Sequence, residues 1–468
     1  MQEGYFVFDF LSINMPDNSE NNMGLSGIHY NLKFDKFYTG LGFYGSVMGE
    51  RGGFFTLGLN TGFETFLTKN LFLNSGIHFG GGGGAGAPDG GGAFILPKLN
   101  IGLKFKKFSL STGYSYINFF DGGKIENHQV HLELQLPFNF YSSTYKNAEK
   151  EFLFSDLKKS KWNKKHRKMS FMFNIDNFQI NGMSKYRGKT FSLVGFEINS
   201  YLNNYWLYFA KFDGAFQGIP SGYMNIILGI GHHFTFNKNN NNIIVKFGIG
   251  SGGGGGIDSK GGFLVYPDIS LEQKLTTNTF ISINKGYLMN PDSSFETSTF
   301  GVGIKYYSEI NKLDDNSKIT FKGFEFIIKQ DAYFNVERYT NKTENLYQIS
   351  FQINYKINNR IYLAGQTSFA NFGNAGAYAE GTVGLGFLSN YFMKDKIQIF
   401  AQSLIGGAGG GNIATGQGLI IKPSIGANYE MNSKIAFRTS LGMARATNES
   451  MDSPIFSLGL CYQLSLLK

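Results

Sequence analysis

The sequence predicts an all-β protein: an antiparallel up-and-down β-barrel fold with three internal repeats of about eight strands each. Three observations carry this. Apolar residues alternate with a period of two, one glycine-rich phrase is written three times, and no segment has the length and periodicity of an amphipathic helix. The phrase reads HFGGGGGAGAPDGGGAFILP from His78 to Pro97, GIGSGGGGGIDSKGGFLVYP from Gly248 to Pro267, and LIGGAGGGNIATGQGLIIKP from Leu404 to Pro423. Self-similarity at this spacing marks a repeat architecture. It divides the chain into copies at 1–140, 169–307 and 322–468, with polar, charged linkers at 141–168 and 308–321. One barrel of 24 strands is the alternative closure.

Composition agrees with this class. Phe and Tyr are abundant and only 16% of residues are charged, which is too apolar for disorder and rich in strand formers. A single cysteine, Cys461, leaves no intrachain disulfide framework and no cysteine-rich metal site. Much of the net charge of +9 sits in KKSKWNKKHRK, from Lys158 to Lys168. Such a run is a solvated linker by type and argues against nucleic acid as a partner. No stretch approaches the roughly 18–20 apolar residues of a transmembrane helix. The start, MQEGYFVFDF, enters strand-like sequence at once, which fits a mature end whose signal peptide has been removed.

Within the first copy the eight strands are expected at 4–14, 24–34, 37–47, 54–67, 71–80, 93–105, 108–119 and 128–138. The third shows the pattern: Phe37, Thr39, Leu41, Phe43 and Val47 share one face, and Tyr38, Gly40, Gly42, Tyr44 and Ser46 the other. The fourth repeats it, with Phe55, Leu57, Leu59 and Phe63 against Thr56, Gly58, Asn60 and Glu64. Connections after strands two, four and six are tight. Those after strands one, three, five and seven are longer: MPDNSENN, MGERGG, the glycine tract and FDGGKIENH. The other copies keep this rhythm. Because eight is even, both termini and both linkers fall on the short-turn side.

Short turns at one end, long loops at the other and ten-residue strands with one apolar face are the pattern of outer-membrane barrels. The second face, mostly Gly, Ser, Thr, Asn and Tyr with scattered charges, suits a narrow, filled interior. The runs FGVGIKYY and FSLGLCYQL look like the aromatic-ended closing strands of that class. The chain therefore resembles the bacterial eight-stranded outer-membrane β-barrel proteins, here as three tandem copies. It departs from them in ending at Lys468, six residues beyond Tyr462. The resemblance implies an outer-membrane location with the short turns periplasmic, and membrane lipid as a partner.

The glycine tracts lead into strands rather than helices, so a phosphate-binding reading fails on context. Glycine instead lets a tall hairpin bend or lets backbones pack closely. Pro97, Pro267 and Pro423 lie just inside the following strands, where their missing N–H must fall at a bulge or strand start. Candidate chemical residues are few. His78, His128 and His131 belong to the first copy, His232 and His233 to the second, and the third copy has none, so no histidine site is shared. Asp89 and Asp258 flank two tracts where the third offers Asn412, too few carboxylates for calcium. Glu64 is an inward carboxylate expected to make a structural contact. The chain is therefore read as having no catalytic, cofactor or metal residues and as no enzyme. Three functions stay open: a structural or assembly component of the envelope working with secretion or surface-polymer proteins, a channel or transporter, and a soluble adhesin-like repeat protein.

Overall fold

The computed structural model describes residues 1–159, 168–182, 184–218, 222–308 and 318–467. The first copy contributes β1 (Glu3–Ile13), β2 (Met23–Phe34), β3 (Phe37–Met48), β4 (Phe55–Phe66), β5 (Leu71–Gly83), β6 (Phe94–Lys104), β7 (Ser109–Phe119) and β8 (Glu126–Pro137). A short strand, β9 (Glu151–Leu153), follows. The second copy contributes β10 (Met169–Ile180), β11 (Thr190–Tyr201), β12 (Trp206–Gln217), β13 (Met224–Phe236), β14 (Asn241–Gly253), β15 (Phe263–Lys274), β16 (Thr279–Met289) and β17 (Glu296–Ser308). The third contributes β18 (Lys318–Glu337), β19 (Thr343–Lys356), β20 (Ile361–Phe372), β21 (Ala379–Leu388), β22 (Ile397–Gly409), β23 (Leu419–Glu430), β24 (Ile435–Ala446) and β25 (Asp452–Leu467).

All neighbours pair antiparallel, and the eighth strand of each copy returns to its first. Phe8 lies opposite Leu134, Ile175 opposite Val302, and Ile328 opposite Leu460. Three closed eight-stranded barrels result. Closure leaves no sheet edge, which a bilayer requires of any strand-built span.

The prolines fall neither at a strand start nor at a bulge, but four or five residues into β6, β15 and β23, at a gap in the ladder. Each pairs with the strand before it, yet pairing with the strand after it breaks at the proline. Two rungs are missing there while the register is unchanged: pairing passes from Ile95–Asn118 to Lys98–Ser115, from Val265–Met289 to Asp268–Gly286, and from Ile421–Arg445 to Ser424–Gly442. The missing N–H thus costs no ladder bond. The glycine tract also carries more ladder than expected. β5 runs on to Gly83 because Gly82 and Gly83 still pair with Thr56 and Phe55.

Two linker expectations need correction. Residues 141–159 are not a solvated tether. They form a single 3₁₀ turn at Tyr145–Asn147, then β9, then a short helix α1 (Phe154–Lys159), all docked on the third barrel. β9 pairs with the start of β18, which begins at Lys318 rather than at 322. Phe154, Leu157, Ile319 and Phe321 make a small core there, and the Tyr145 hydroxyl donates 2.8 Å to the buried Glu325 carboxylate. Six residues are too few for a free-standing helix, so α1 depends on this core. The charge count of the segment hid its four aromatic or leucine anchors, Tyr145, Phe152, Phe154 and Leu157. The linker's far end reaches the second barrel, where the Lys168 ammonium lies 4.6 and 4.9 Å from the Tyr201 and Tyr307 ring centroids. Residues 160–167, the middle of the basic run, and Lys468 lie outside the described residues.

Candidate functional site

Two places concentrate chemistry: the barrel interiors and the junction where the barrels meet. Alternation turns one face of every strand inward, and glycines make the room. A β-carbon at Gly58 would lie 2.7 Å from the His78 ring. Into that room the first barrel puts Asp9, which takes hydrogen bonds from the Tyr44 hydroxyl at 2.8 Å and meets His29 Nε2 at 3.2 Å. Asn60 links His29 to His78, at 3.2 and 2.5 Å. Lys98 pairs with Glu133 at 2.6 Å. Glu64 meets Lys33, the structural contact expected of it.

The second barrel is the most charged. Lys211 Nζ donates to Asp176 and Asp213, each at 2.5 Å. Lys246 donates to Glu197 at 2.7 Å and lies 3.0 Å from Asp268, and Lys305 donates to Glu272 at 2.8 Å. In the third barrel Lys422 pairs with Glu380, Lys329 with Asp331 at 3.2 Å, and the Arg438 guanidinium reaches Gln402 and Asn428. The interior expected to carry scattered charges is in fact a set of ion-pair ladders. The signal was present in part: Lys246 faces Asp268 directly across neighbouring strands and pairs with it, whereas Lys211, opposite Glu197, turns to Asp176 and Asp213. Opposite charges at matching inward positions pair where water is absent.

The outward faces are the reverse. Val130, Leu132, Leu99, Ile175, Val245, Ile304, Leu385 and Leu441 are exposed, as are many phenylalanines. Leu132, mid-strand in β8 and 72% exposed, is a clean probe of this belt. Leu132→Arg should destabilise the folded protein by about 2–4 kcal/mol in lipid. Urea unfolding in liposomes measures this, and a change under about 0.5 kcal/mol would mean that the belt does not face lipid. Leu57, on the same apolar face by sequence, behaves differently. It is 5% exposed and packs with Phe55, Phe43, Met224, Phe351 and Phe369. That cluster draws on all three barrels.

The glycine tracts build the junction around this cluster. Matching backbone bonds align Ser46 with Ala215 and Ala370, and Gly82 with Gly252 and Ala408. In that frame the fifth strand of each copy rests on the third strand of another: β5 on β20, β14 on β3 and β22 on β12. A β-carbon on Gly407 would lie 2.9 Å from the Ala215 carbonyl oxygen. At the same position the Ser251 hydroxyl donates 2.5 Å to the Ser46 carbonyl, and Gly81 abuts Ala370 and Asn371. Three head-to-tail contacts of one kind close a ring. Gly53, at φ +94°, needs glycine twice over: for its backbone, and because a β-carbon there would lie 2.6 Å from the Gly253 carbonyl carbon. The tracts do both things expected of them: backbones pack closely between copies, and the chain turns at glycines such as Gly86 and Gly90, at φ +65° and +60°.

Asp89 belongs to this junction. Its carboxylate accepts the Gly84 amide at 2.8 Å beside Gly376 of the third copy. Burial raises its pKa to about 6, with the Gly84 amide and Arg51 acting the other way. Since the folded value exceeds the unfolded one, its contribution is full below about pH 4 and is lost as pH rises through about 6. Exchange of the Gly82–Gly84 amides should therefore slow on going from pH 7 to 4, after correction for intrinsic rates, by up to about 2–3 kcal/mol of protection. Asp89→Asn should remove that dependence. An identical pH profile in the variant would contradict the assignment.

The other singled-out residues stay apart. His128 is outward beside Tyr114 and Tyr116, His131 inward beside Glu133, and His232 packs on Trp206 while His233 accepts from or donates to the Tyr201 hydroxyl at 2.8 Å. His29, which sequence reasoning did not single out, is the one brought against His78, with ring centroids 5.4 Å apart. Asp258 and Asn412 are not joined to them. Among the described residues no group of three or more His, Cys, Asp or Glu is placed to hold a metal ion.

Three closed antiparallel barrels with apolar belts and polar interiors have the fold of bacterial outer-membrane β-barrel proteins. No family model and no curated protein matches the chain. Solved structures that it is similar to include the Yersinia pestis outer-membrane protein Ail, at 15% identity over 31% of this chain and 100% of that one, with a TM-score of 0.22. The Pseudomonas aeruginosa siderophore receptor PirA matches at 7% identity over 99% and 80%, with a TM-score of 0.30. Pseudomonas aeruginosa OpdQ matches at 8% over 99% and 97%, with a TM-score of 0.22. At these scores nothing about substrate or activity transfers.

Proposed function

We propose that the protein is a non-conducting structural component of the outer membrane, a rigid three-barrel platform for a secretion or surface-polymer assembly. The observation that supports it most is the set of ion pairs and packed side chains found inside the barrels and between them among the described residues. Ion-pair ladders occupy the three interiors, and the apolar cluster of Phe43, Leu57, Met224 and Phe369 occupies the space where the barrels meet. Inside the third barrel, the space enclosed beside Lys329, Asp331 and Lys422 is about 10 Å³, room for one water. A soluble adhesin fits poorly with so much exposed Phe, Leu and Ile.

A channel or transporter is the second reading, favoured by the water-sized space beside Lys329, Asp331 and Lys422 inside the third barrel. Passage here would require a ladder to open, and the third barrel's small cavity is where it would start. Planar-bilayer recording on the full chain separates the two. The platform reading expects no steps above baseline at neutral pH and moderate voltage. Reproducible unitary steps would establish the channel instead.

A further inference from the structure

The short-turn rim of the first barrel carries a cluster of lysines that the other two copies do not repeat as a set. The β4–β5 and β6–β7 turns flank an open cleft of about 600 Å³ lined by Phe66, Lys69, Asn70, Lys104, Phe105 and Lys106. No carboxylate lines it, and among the described residues Lys69, Lys104 and Lys106 form no ion pair. The Lys104 ammonium sits 5.2 Å from the Phe66 ring centroid, and Phe105 stacks on Phe108 at 4.9 Å. Below the cleft, alternate residues of β6 form an exposed apolar stripe: Leu103, Ile101 and Leu99.

We infer that this cleft binds the phosphate of an anionic phospholipid headgroup, with an acyl chain lying along the β6 stripe. Three cations without a counter-ion call for an anion, and the stripe continuing from the cleft into the belt calls for an amphiphile rather than a free ion. Its level is that of the exposed rim residues Phe34, Phe37 and Phe63, where headgroups meet the barrel. Repetition does not explain it. Matching turn bonds align Lys106 with Thr276 and Asn432, and Lys104 with Lys274 and Glu430, so neither other copy keeps the cluster. This inference rests on the membrane-embedded reading above.

Native mass spectrometry of the full chain in detergent, titrated with phosphatidylglycerol or phosphatidylcholine, tests it. Phosphatidylglycerol should be retained over phosphatidylcholine by at least about tenfold, with each lysine removed costing about fivefold. Lys69→Ala/Lys104→Ala/Lys106→Ala should abolish the preference, whereas Lys238→Ala/Lys434→Ala at the turns of the other barrels should keep it. Lys106→Ala alone, at an exposed turn, serves if the triple variant loses heat-modifiable migration. Equal retention of both lipids, an unchanged preference in the triple variant, or full displacement by equimolar inorganic phosphate would each overturn the assignment. A detergent-dependent, heat-modifiable protein without lipid preference sinks this inference alone. Folded protein recovered without detergent would sink the membrane reading beneath it.

Discussion

Leucine at both Gly81 and Gly407 should release the third barrel from its two neighbours while leaving every barrel closed. Neither glycine has a positive φ, so its own strand tolerates a side chain. The nearest obstacles lie in another copy. A β-carbon at Gly81 would sit 2.7 Å from Asn371 Cβ and 2.9 Å from the Ala370 carbonyl carbon; one at Gly407 would sit 2.9 Å from the Ala215 carbonyl oxygen. Overpacking costs about 1–3 kcal/mol at each site, and the sites lie on different junctions, so about 2–6 kcal/mol is expected together. Thermal unfolding in detergent should change from one cooperative transition to two, with the third barrel separating. The alanine versions should do the same more weakly. An unchanged single transition would show that the barrels are not coupled through these tracts.

The glycine tracts also show how far the sequence could be read. Period two, turn length and the three-fold phrase were enough for strands and copy number, because each is a local consequence of backbone geometry, whereas closure of each copy on itself rests on long-range pairs such as Phe8 with Leu134. Close backbone packing was a correct reading of the tracts, but which backbones meet depends on contacts between residues hundreds of positions apart, such as Ser251 with Ser46. Leu57 illustrates the same limit. Its alternation marks the apolar face, yet lipid and a neighbouring barrel are equally apolar, and only the assembly distinguishes them. The docked segment 141–159 was misread because its charges outnumber its anchors, although Tyr145 and Phe154 decide where it sits.

The interior ladders were the largest feature missed, and they support the platform reading. Composition averaged them away among glycines and serines. Parity places them on one face and register recovers Lys246 with Asp268, but Lys211 lies opposite Glu197 and bonds instead to Asp176 and Asp213. A lumen meant to pass solute would gain nothing from neutralising its charges in pairs and glycine-fitted rings. A lumen meant to stay shut and stiff is well served by it, since every buried polar group that is paired fixes its neighbours.

Lys211→Met should therefore unfold the second barrel more readily than any surface change. The ammonium is almost fully buried and donates to both Asp176 and Asp213 at 2.5 Å. Removing it leaves two carboxylates facing each other without a counter-ion in a space that lacks bulk water. Breaking such a buried pair costs about 3–5 kcal/mol, because the remaining charges keep their desolvation penalty and lose their compensation. Adding Asp176→Asn and Asp213→Asn to Lys211→Met removes the stranded charge and should restore a large part of the loss. Heat-modifiable migration and urea midpoints of the full chain in liposomes would follow both variants. If the single variant matched the parent, the ladder would be contributing nothing to stability, and the case for a lumen held shut by it would fall. If instead the single variant stayed folded and began to conduct in a planar bilayer, the ladder would be acting as a gate and the channel reading would take the platform's place.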